Sequence, residues 1–392
     1  MKPTLQRCLL LLCLLSLAAC AGISRNPLPG DIHLKATVLG RDDLRYWGDN
    51  SRQENQGYSL YKQTREQFKA RYAGVSGREH HYLAVSGGGA NGAYGAGALV
   101  GWTATGTRPE FAIVTGISTG ALIAPFAFLG PEYDNQLKEV YTTLGTDRIF
   151  SIRSIFKIVG GDGLVDTSPF QQTLETYVND DVIQAIAAEY RKGRLLLIGT
   201  TNLDAGRPVI WNIGRIADSG HPDAPDLIRQ VLRASASIPG AFPPVYLKVE
   251  ANGVEYDEMH VDGGTSAQMF LYPSSIDWKD VMGLLDVKGT PQAYVIRNSR
   301  VHPSYEEVSP RVSKIASRTI DSLIRTQGVG DAYRIYALAE RDGVDISLTW
   351  IPKDSVEDSS DEPFDPKYMS ELFEYGYQRA INGELWTQLD LD

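Results

Sequence analysis

The sequence predicts an α/β protein whose mainly parallel sheet is covered by helices on both faces. Short apolar runs alternate with helix-compatible segments through most of the chain, the order that places crossover helices over parallel strands. Residues 194–201 (RLLLIGTT) are apolar almost without interruption, as a strand buried on both faces must be. Glycine clusters follow several of the strand segments, at the carboxyl ends where sheets of this kind hold their sites. With 392 residues, 43% hydrophobic and 22% charged, the chain has ample core for one large domain or two smaller ones. Its net charge of −10 provides no global attraction for nucleic acid or anionic lipid. Any membrane contact must come from a local feature.

The amino terminus supplies one. Lys2 and Arg7 precede an apolar run from Cys8 to Leu17, and Ala18, Ala19 and Cys20 follow. That run falls far short of the roughly 20 residues needed to span a bilayer, and it reads as a signal-peptide core over residues 1–19. Leu17-Ala18-Ala19-Cys20 resembles the lipobox of bacterial lipoproteins. The resemblance implies acylation of Cys20, cleavage before it and anchoring by lipid chains. With Ala21 rather than an aspartate after the cysteine, it further implies the outer membrane of a Gram-negative cell envelope. Cys8 and Cys13 would leave with the signal, so no cysteine pair remains for a disulfide.

Residues 20–78 read as an N-terminal extension, turn-rich around Asn26-Pro27-Leu28-Pro29-Gly30, with a small helix expected at 60–72. The main domain is expected over 79–392, with its motif-bearing core at about 80–300 and an α/β extension at 301–392. A strand at 80–86 leads through glycines into a helix at 93–105. Strand 111–115 and the helix after Ser118 repeat that order. One helical stretch is expected over 168–192, then strands at 194–201 and 207–212 and a helix at 227–237 that ends before Pro239. Asn252-Gly253 supplies a type I′ turn for a hairpin at 246–256. A strand at 259–262 ends in Gly263-Gly264. Strand 292–297, a long helix at 311–341, strand 344–351 and a helix at 366–382 close the pattern. Residues 148–165, basic and aromatic with Gly160-Gly161-Asp162-Gly163, are a lid candidate, and the acidic stretch 354–365 reads as a solvated loop.

Gly116-Ile117-Ser118-Thr119-Gly120 reads G-x-S-x-G between a strand and a helix, the setting in which a tight turn exposes a serine hydroxyl. Cleaving an ester through such a nucleophile also requires a base and donors for the oxyanion. Asp262, ahead of Gly263-Gly264, is the candidate base. Ser86-Gly87-Gly88-Gly89-Ala90-Asn91-Gly92 is the candidate oxyanion loop, since consecutive glycine N–H groups converge on an anion unobstructed. The loop also satisfies G-x-G-x-x-G at Gly87, Gly89 and Gly92. A dinucleotide site, however, wants an acid at the end of the next strand, whereas Glu110 precedes that strand. No Gly-Lys-Ser/Thr follows, so a Walker A loop is excluded as well, and no nucleotide partner is expected. A triad would need a histidine after the acid. His302 alone lies there, in a turn context, and His260 shares a strand face with Asp262 but reads as a packed or surface side chain. The pattern favours a Ser118–Asp262 dyad, with the aspartate's pKa raised by burial.

Taken in order, Gly87 to Gly92, Gly116 to Gly120 and Asp262-Gly263-Gly264 resemble the motifs of the patatin-like phospholipase family. Ser235-Ala236-Ser237-Ile238-Pro239-Gly240-Ala241-Phe242-Pro243-Pro244 is similar to that family's fourth block. The resemblance spans roughly residues 80–300. It implies a three-layer α/β/α fold and metal-free, cofactor-free hydrolysis of acyl esters of membrane lipids or lipid-derived esters. It also implies Ser118 as nucleophile, Asp262 as base and Gly87, Gly88 and Gly89 as oxyanion donors. Asn91 stands where the family carries a lysine or arginine. Thr265-Ser266-Ala267-Gln268 follows the aspartate motif where an asparagine is usual. These departures leave a second reading, a non-catalytic envelope protein that uses the scaffold for binding or assembly.

Overall fold

In the computed structural model the described residues are 25–49, 63–152, 165–303, 305, 307–357, 360 and 362–387. The expected lipidation site at Cys20 and most of the lid candidate lie outside them. In chain order the elements are β1 (Arg45–Trp47), α1 (Arg65–Arg71), β2 (His81–Val85), α2 (Gly92–Ala104), β3 (Ile113–Ile117), α3 (Thr119–Leu129) and α4 (Asp134–Thr143). There follow β4 (Ser151–Ile152), β5 (Val165–Asp166), α5 (Ser168–Tyr177), α6 (Asp180–Arg191), β6 (Leu195–Asn202), β7 (Arg207–Asn212), α7 (Ile213–Ala217) and α8 (Ala224–Ser235). The chain continues with β8 (Val245–Ala251), β9 (Val254–Asp262), α9 (Trp278–Leu284), β10 (Gln292–Arg297), α10 (Val312–Asp342), β11 (Asp345–Trp350) and α11 (Pro366–Ile381).

Successive side chains of a strand face opposite sides of its sheet, and here that alternation feeds two cores. Leu83 and Val85 of β2, Val114 of β3 and Leu196 and Ile198 of β6 enter one core, which helices α2, α3, α4, α8 and α11 complete. Tyr82 and Ala84, Ile113, and Leu195 and Leu197 enter the other, beneath α1, α9 and α10. The result is a three-layer α/β/α architecture around a nine-stranded sheet. Strands β11, β10, β2, β3 and β6 are parallel throughout. On one face α2 and α11 lie almost in backbone contact. A Cβ on Gly97 would stand 1.9 Å from the Phe373 carbonyl oxygen, so the small residues of α2 serve this crossing.

Several boundaries differ from expectation for physical reasons. The stretch 168–192 is two helices, because Asn179 accepts from the Val182 N–H at 3.1 Å and starts a new one with Asp180 and Asp181 in its first turn. Strand 259–262 is the end of one long strand, β9, paired with β8 across Asn252 and Gly253, both at positive φ (53° and 77°). β7 and β9 run antiparallel to β6, so the parallel region gives way to mixed pairing there. The N-terminal extension adds β1 to the sheet edge against β7. Arg45 of β1 forms a two-pronged ion pair with Glu258 of β9, which is buried. The helix expected at 60–72 is seen as α1, capped reciprocally by Thr64 and Gln67. Among the described residues no helix is long and apolar enough to cross a membrane.

Candidate active site

The site forms where two strands meet head to head on the same edge of β6. β3 climbs along β6 in parallel and stops with Ile117 opposite Gly199. β9 descends antiparallel along the same edge and stops with Asp262 opposite Thr200. Ser118 follows Ile117 directly, so adjacent positions of β6 bring Ser118 and Asp262 near each other. The expectation that Asp262 lies at a strand's carboxyl end is met, although its strand arrives from beyond the sheet edge.

Ser118 takes φ 56° and ψ −127°, a strained geometry for a residue with a Cβ. The glycines on either side are required by close approach. A Cβ on Gly116 would stand 2.3 Å from the Gly120 carbonyl oxygen, and one on Gly120 would stand 2.3 Å from that of Val85. The Ser118 N–H donates to Ser235 Oγ at 3.0 Å, and Ser235 Oγ donates to the Gly199 carbonyl at 2.6 Å. Two residues on, the Ser237 carbonyl accepts from the Asp262 N–H at 2.9 Å. The block starting at Ser235 thus holds the elbow by a side chain and the acid by the backbone. Its composition alone did not disclose either role.

Asp262 is 5% exposed. Burial pushes its carboxyl up to about 7, against the opposing effects of hydrogen bonds from Ser118 and from the Gly264 N–H, the latter at 2.7 Å. Gly263 packs so closely that a Cβ would stand 2.4 Å from the Gly199 carbonyl oxygen.

The glycine loop passes beside the elbow: a Cβ on Gly87 would lie 3.7 Å from Ser118 Oγ. The Gly87 N–H donates to the Gln268 carbonyl at 3.3 Å, whereas the N–H groups of Gly88 and Gly89 have no backbone acceptor among the described residues. Asn298, just past β10, clamps the loop. Its Nδ2 donates to the Ser86 carbonyl at 3.0 Å, its N–H to Ser86 Oγ at 2.9 Å, and its Oδ1 accepts from the Gly95 N–H at 3.0 Å. A Cβ on Gly88 would stand 2.1 Å from the Asn298 carbonyl oxygen. Asn298 carried no motif signal, because its place depends on β10 lying next to β2.

Both departures from the family pattern have structural partners. Asn91 Oδ1 accepts from the Tyr368 hydroxyl at 2.6 Å, tying the loop to α11. Gln268 Nε2 donates to the Gly264 carbonyl at 2.7 Å and to Gln327 Oε1 of α10 at 3.2 Å. With its own carbonyl on Gly87, Gln268 bridges the glycine loop and the aspartate turn. Gly92 opens α2 against Thr119, 2.2 Å from Thr119 Oγ1 to its would-be Cβ. His260 is fully buried, with Nδ1 2.9 Å from Thr200 Oγ1 and Nε2 3.0 Å from Glu258 Oε2. Burial lowers its pKa. His302 is exposed in the loop after β10, and Glu110 lies before the amino end of β3, 3.9 Å from Arg194.

The family model described as Patatin-like phospholipase matches residues 83–272, which enclose the glycine loop, the elbow, the Ser235 block and Asp262. No curated protein matches the chain significantly. Among solved structures, VipD from Legionella pneumophila aligns at 12% identity over 78% of this chain and 67% of that one, with a TM-score of 0.32, too loose to inform fold or function. Residues 83–272 of this three-layer protein therefore carry a patatin-like phospholipase family-model domain.

Proposed function

We propose that the protein is a serine hydrolase that cleaves acyl esters of lipids through a Ser118–Asp262 dyad. The observation that carries this reading is the meeting of the strained Ser118 elbow and the buried Asp262 at adjacent positions of β6, where burial raises the Asp262 carboxyl to about 7. An aspartate at its ordinary 3.8 would be a poor proton acceptor. Raised to about 7, it matches neutral operating conditions. Ser118 Oγ attacks the ester carbonyl carbon as its proton passes to Asp262. The oxyanion is received by the N–H groups of Gly88 and Gly89, while Gly87 anchors the loop. Collapse breaks the ester bond, and Asp262 returns the proton to the departing alkoxide. A water then attacks the acyl-serine as Asp262 takes its proton; collapse breaks the acyl–Oγ bond, the acid leaves, and Asp262 returns the proton to Ser118 Oγ. The start of α3 directs its positive dipole end toward the same region. A cavity of about 400 Å3 touches Ile117 and Gly263, the chain neighbours of Ser118 and Asp262; its walls mix apolar side chains such as Met269, Phe270 and Leu338 with the polar Thr200, Ser266 and Arg334.

Ser118→Ala tests the reading: it should abolish ester turnover and labelling by a fluorophosphonate while leaving the fold intact. Mass spectrometry of a mixed lipid extract incubated with the two proteins would identify the ester. Undiminished turnover in the variant would sink the proposal, and a folded wild type that takes no label would favour the non-catalytic binding role. We further propose that Cys20 is lipidated and holds the domain at the outer membrane of a Gram-negative envelope. Cys20→Ser should then block acylation.

A further inference from the structure

Helix α10 behaves as two different helices. Its C-terminal half packs on the sheet through Ala332, Ile335 and Ala339. Its N-terminal part stands clear of the sheet: the first residue described as buried is Gly328, against the Arg297 guanidinium, and Gln327 reaches Gln268 beside the candidate active site. Residues 312–324 therefore project beyond the site by roughly 20 Å at 1.5 Å per residue.

That projecting part is amphipathic, and its apolar residues lie exposed. Val312, Ile315, Ile320, Leu323 and Ile324 are all exposed, Val312 by 86% and Leu323 by 65%. At 100° per residue their stripe is turned roughly a third of a turn from the one that buries Ile335 and Ala339, so it does not extend the core-facing side. Tyr305, 97% exposed, lies just ahead of the helix. The opposite side carries Arg311, Lys314, Arg318 and Arg325, with Asp321 as its acid. This basic cluster stands out in a chain of net charge −10. A basic polar face behind an apolar stripe is the pattern of a helix lying in a lipid interface, with aliphatic side chains among the acyl chains and cations at anionic headgroups.

We propose that the N-terminal part of α10 docks the protein on an anionic lipid surface and so holds the Ser118 site against it. The docking is independent of the ester chemistry and of Cys20. It is tested on the full chain bearing Cys20→Ser, so that no acyl anchor masks the result. Vesicles of phosphatidylcholine with phosphatidylglycerol should float this protein, and vesicles of phosphatidylcholine alone should float it less. Val312→Asp with Leu323→Asp should weaken partition on the order of 100-fold, from loss of two large aliphatic groups. Arg311→Glu with Lys314→Glu should weaken binding to the anionic vesicles by roughly tenfold or more and remove the preference for them. Turnover of a soluble short-chain ester should be unchanged in both variants. The proposal is overturned if the parent chain does not float with anionic vesicles, or if the aspartate variant floats as well as its parent. A dimer that the aspartate variant dissolves, without vesicle binding, would likewise overturn it and assign the stripe to a second copy of the chain. Vesicle binding without turnover of any ester would uphold docking and refute the hydrolase reading.

Discussion

Replacing Asp262 by asparagine should destroy activity and yet stabilise the protein at alkaline pH. Folding raises the carboxyl's pKa from 3.8 to about 7, so between those values the folded chain retains a proton that the unfolded chain has lost. Stability from this group is therefore fully present below pH 4 and is lost as pH rises to 7. At 1.36 kcal/mol per pH unit the loss is on the order of 4 kcal/mol, complete above pH 7. Asparagine has nearly the same shape, and its Oδ1 can still accept from the Gly264 N–H now 2.7 Å away. It carries no charge to desolvate. Urea denaturation should show the Asp262→Asn protein gaining about 3 kcal/mol over wild type between pH 5 and pH 8. Over the same range, kcat/KM of the wild type for a soluble ester should climb tenfold per pH unit and level off near 7, as the base ionises. A stability difference that does not change with pH would refute the raised pKa. A rate profile flat from pH 5 to pH 8 would refute Asp262 as the base.

Four further substitutions test the site and the two histidines nearest to Asp262 in the chain. Ser235→Ala leaves the buried Ser118 N–H without its acceptor, which should cost about 1–3 kcal/mol in denaturation and lower kcat more than it raises KM. Gly88→Ala forces a Cβ against the Asn298 carbonyl oxygen. Displacing the donors should reduce kcat by about 100-fold to 1,000-fold, and unaltered single-turnover acylation would argue against their role. His302→Ala should retain most activity in steady-state assays. His260→Ala should do the same for the chemistry but lower stability by about 2–4 kcal/mol, because it empties a buried, hydrogen-bonded position. A selective loss of kcat in His302→Ala would restore a triad.

Much of this was legible in the sequence because the chemistry depends on local geometry. Glycines flanking Ser118 and preceding α2 marked tight turns, and the scarcity of histidines near Asp262 pointed to a dyad. The continuous apolar run at 194–201 is the fully buried β6. What the sequence withheld was pairing. Strands were expected at 207–212 and 259–262 without a direction, since a strand's composition does not record how it pairs. One helix was expected over 168–192 because spacing continues through Asn179, whereas the cap that divides it became evident only from its bond to Val182.

The sequence by itself singled out Ser118, Asp262 and the glycine loop as candidates and determined the α/β layering, since each is written in a short stretch whose backbone needs or periodicity are self-contained. Only the tertiary structure decided that β3 and β9 stop at adjacent positions of β6, which brings Ser118 and Asp262 near each other. It alone recruited Ser235, Gln268 and Asn298, polar residues whose partners lie far along the chain. It alone buried Asp262, which raises its carboxyl's pKa, and it left the apolar residues at the N-terminal end of α10 exposed. Contacts between distant segments have no local signature: they arise when each strand takes its place in the sheet.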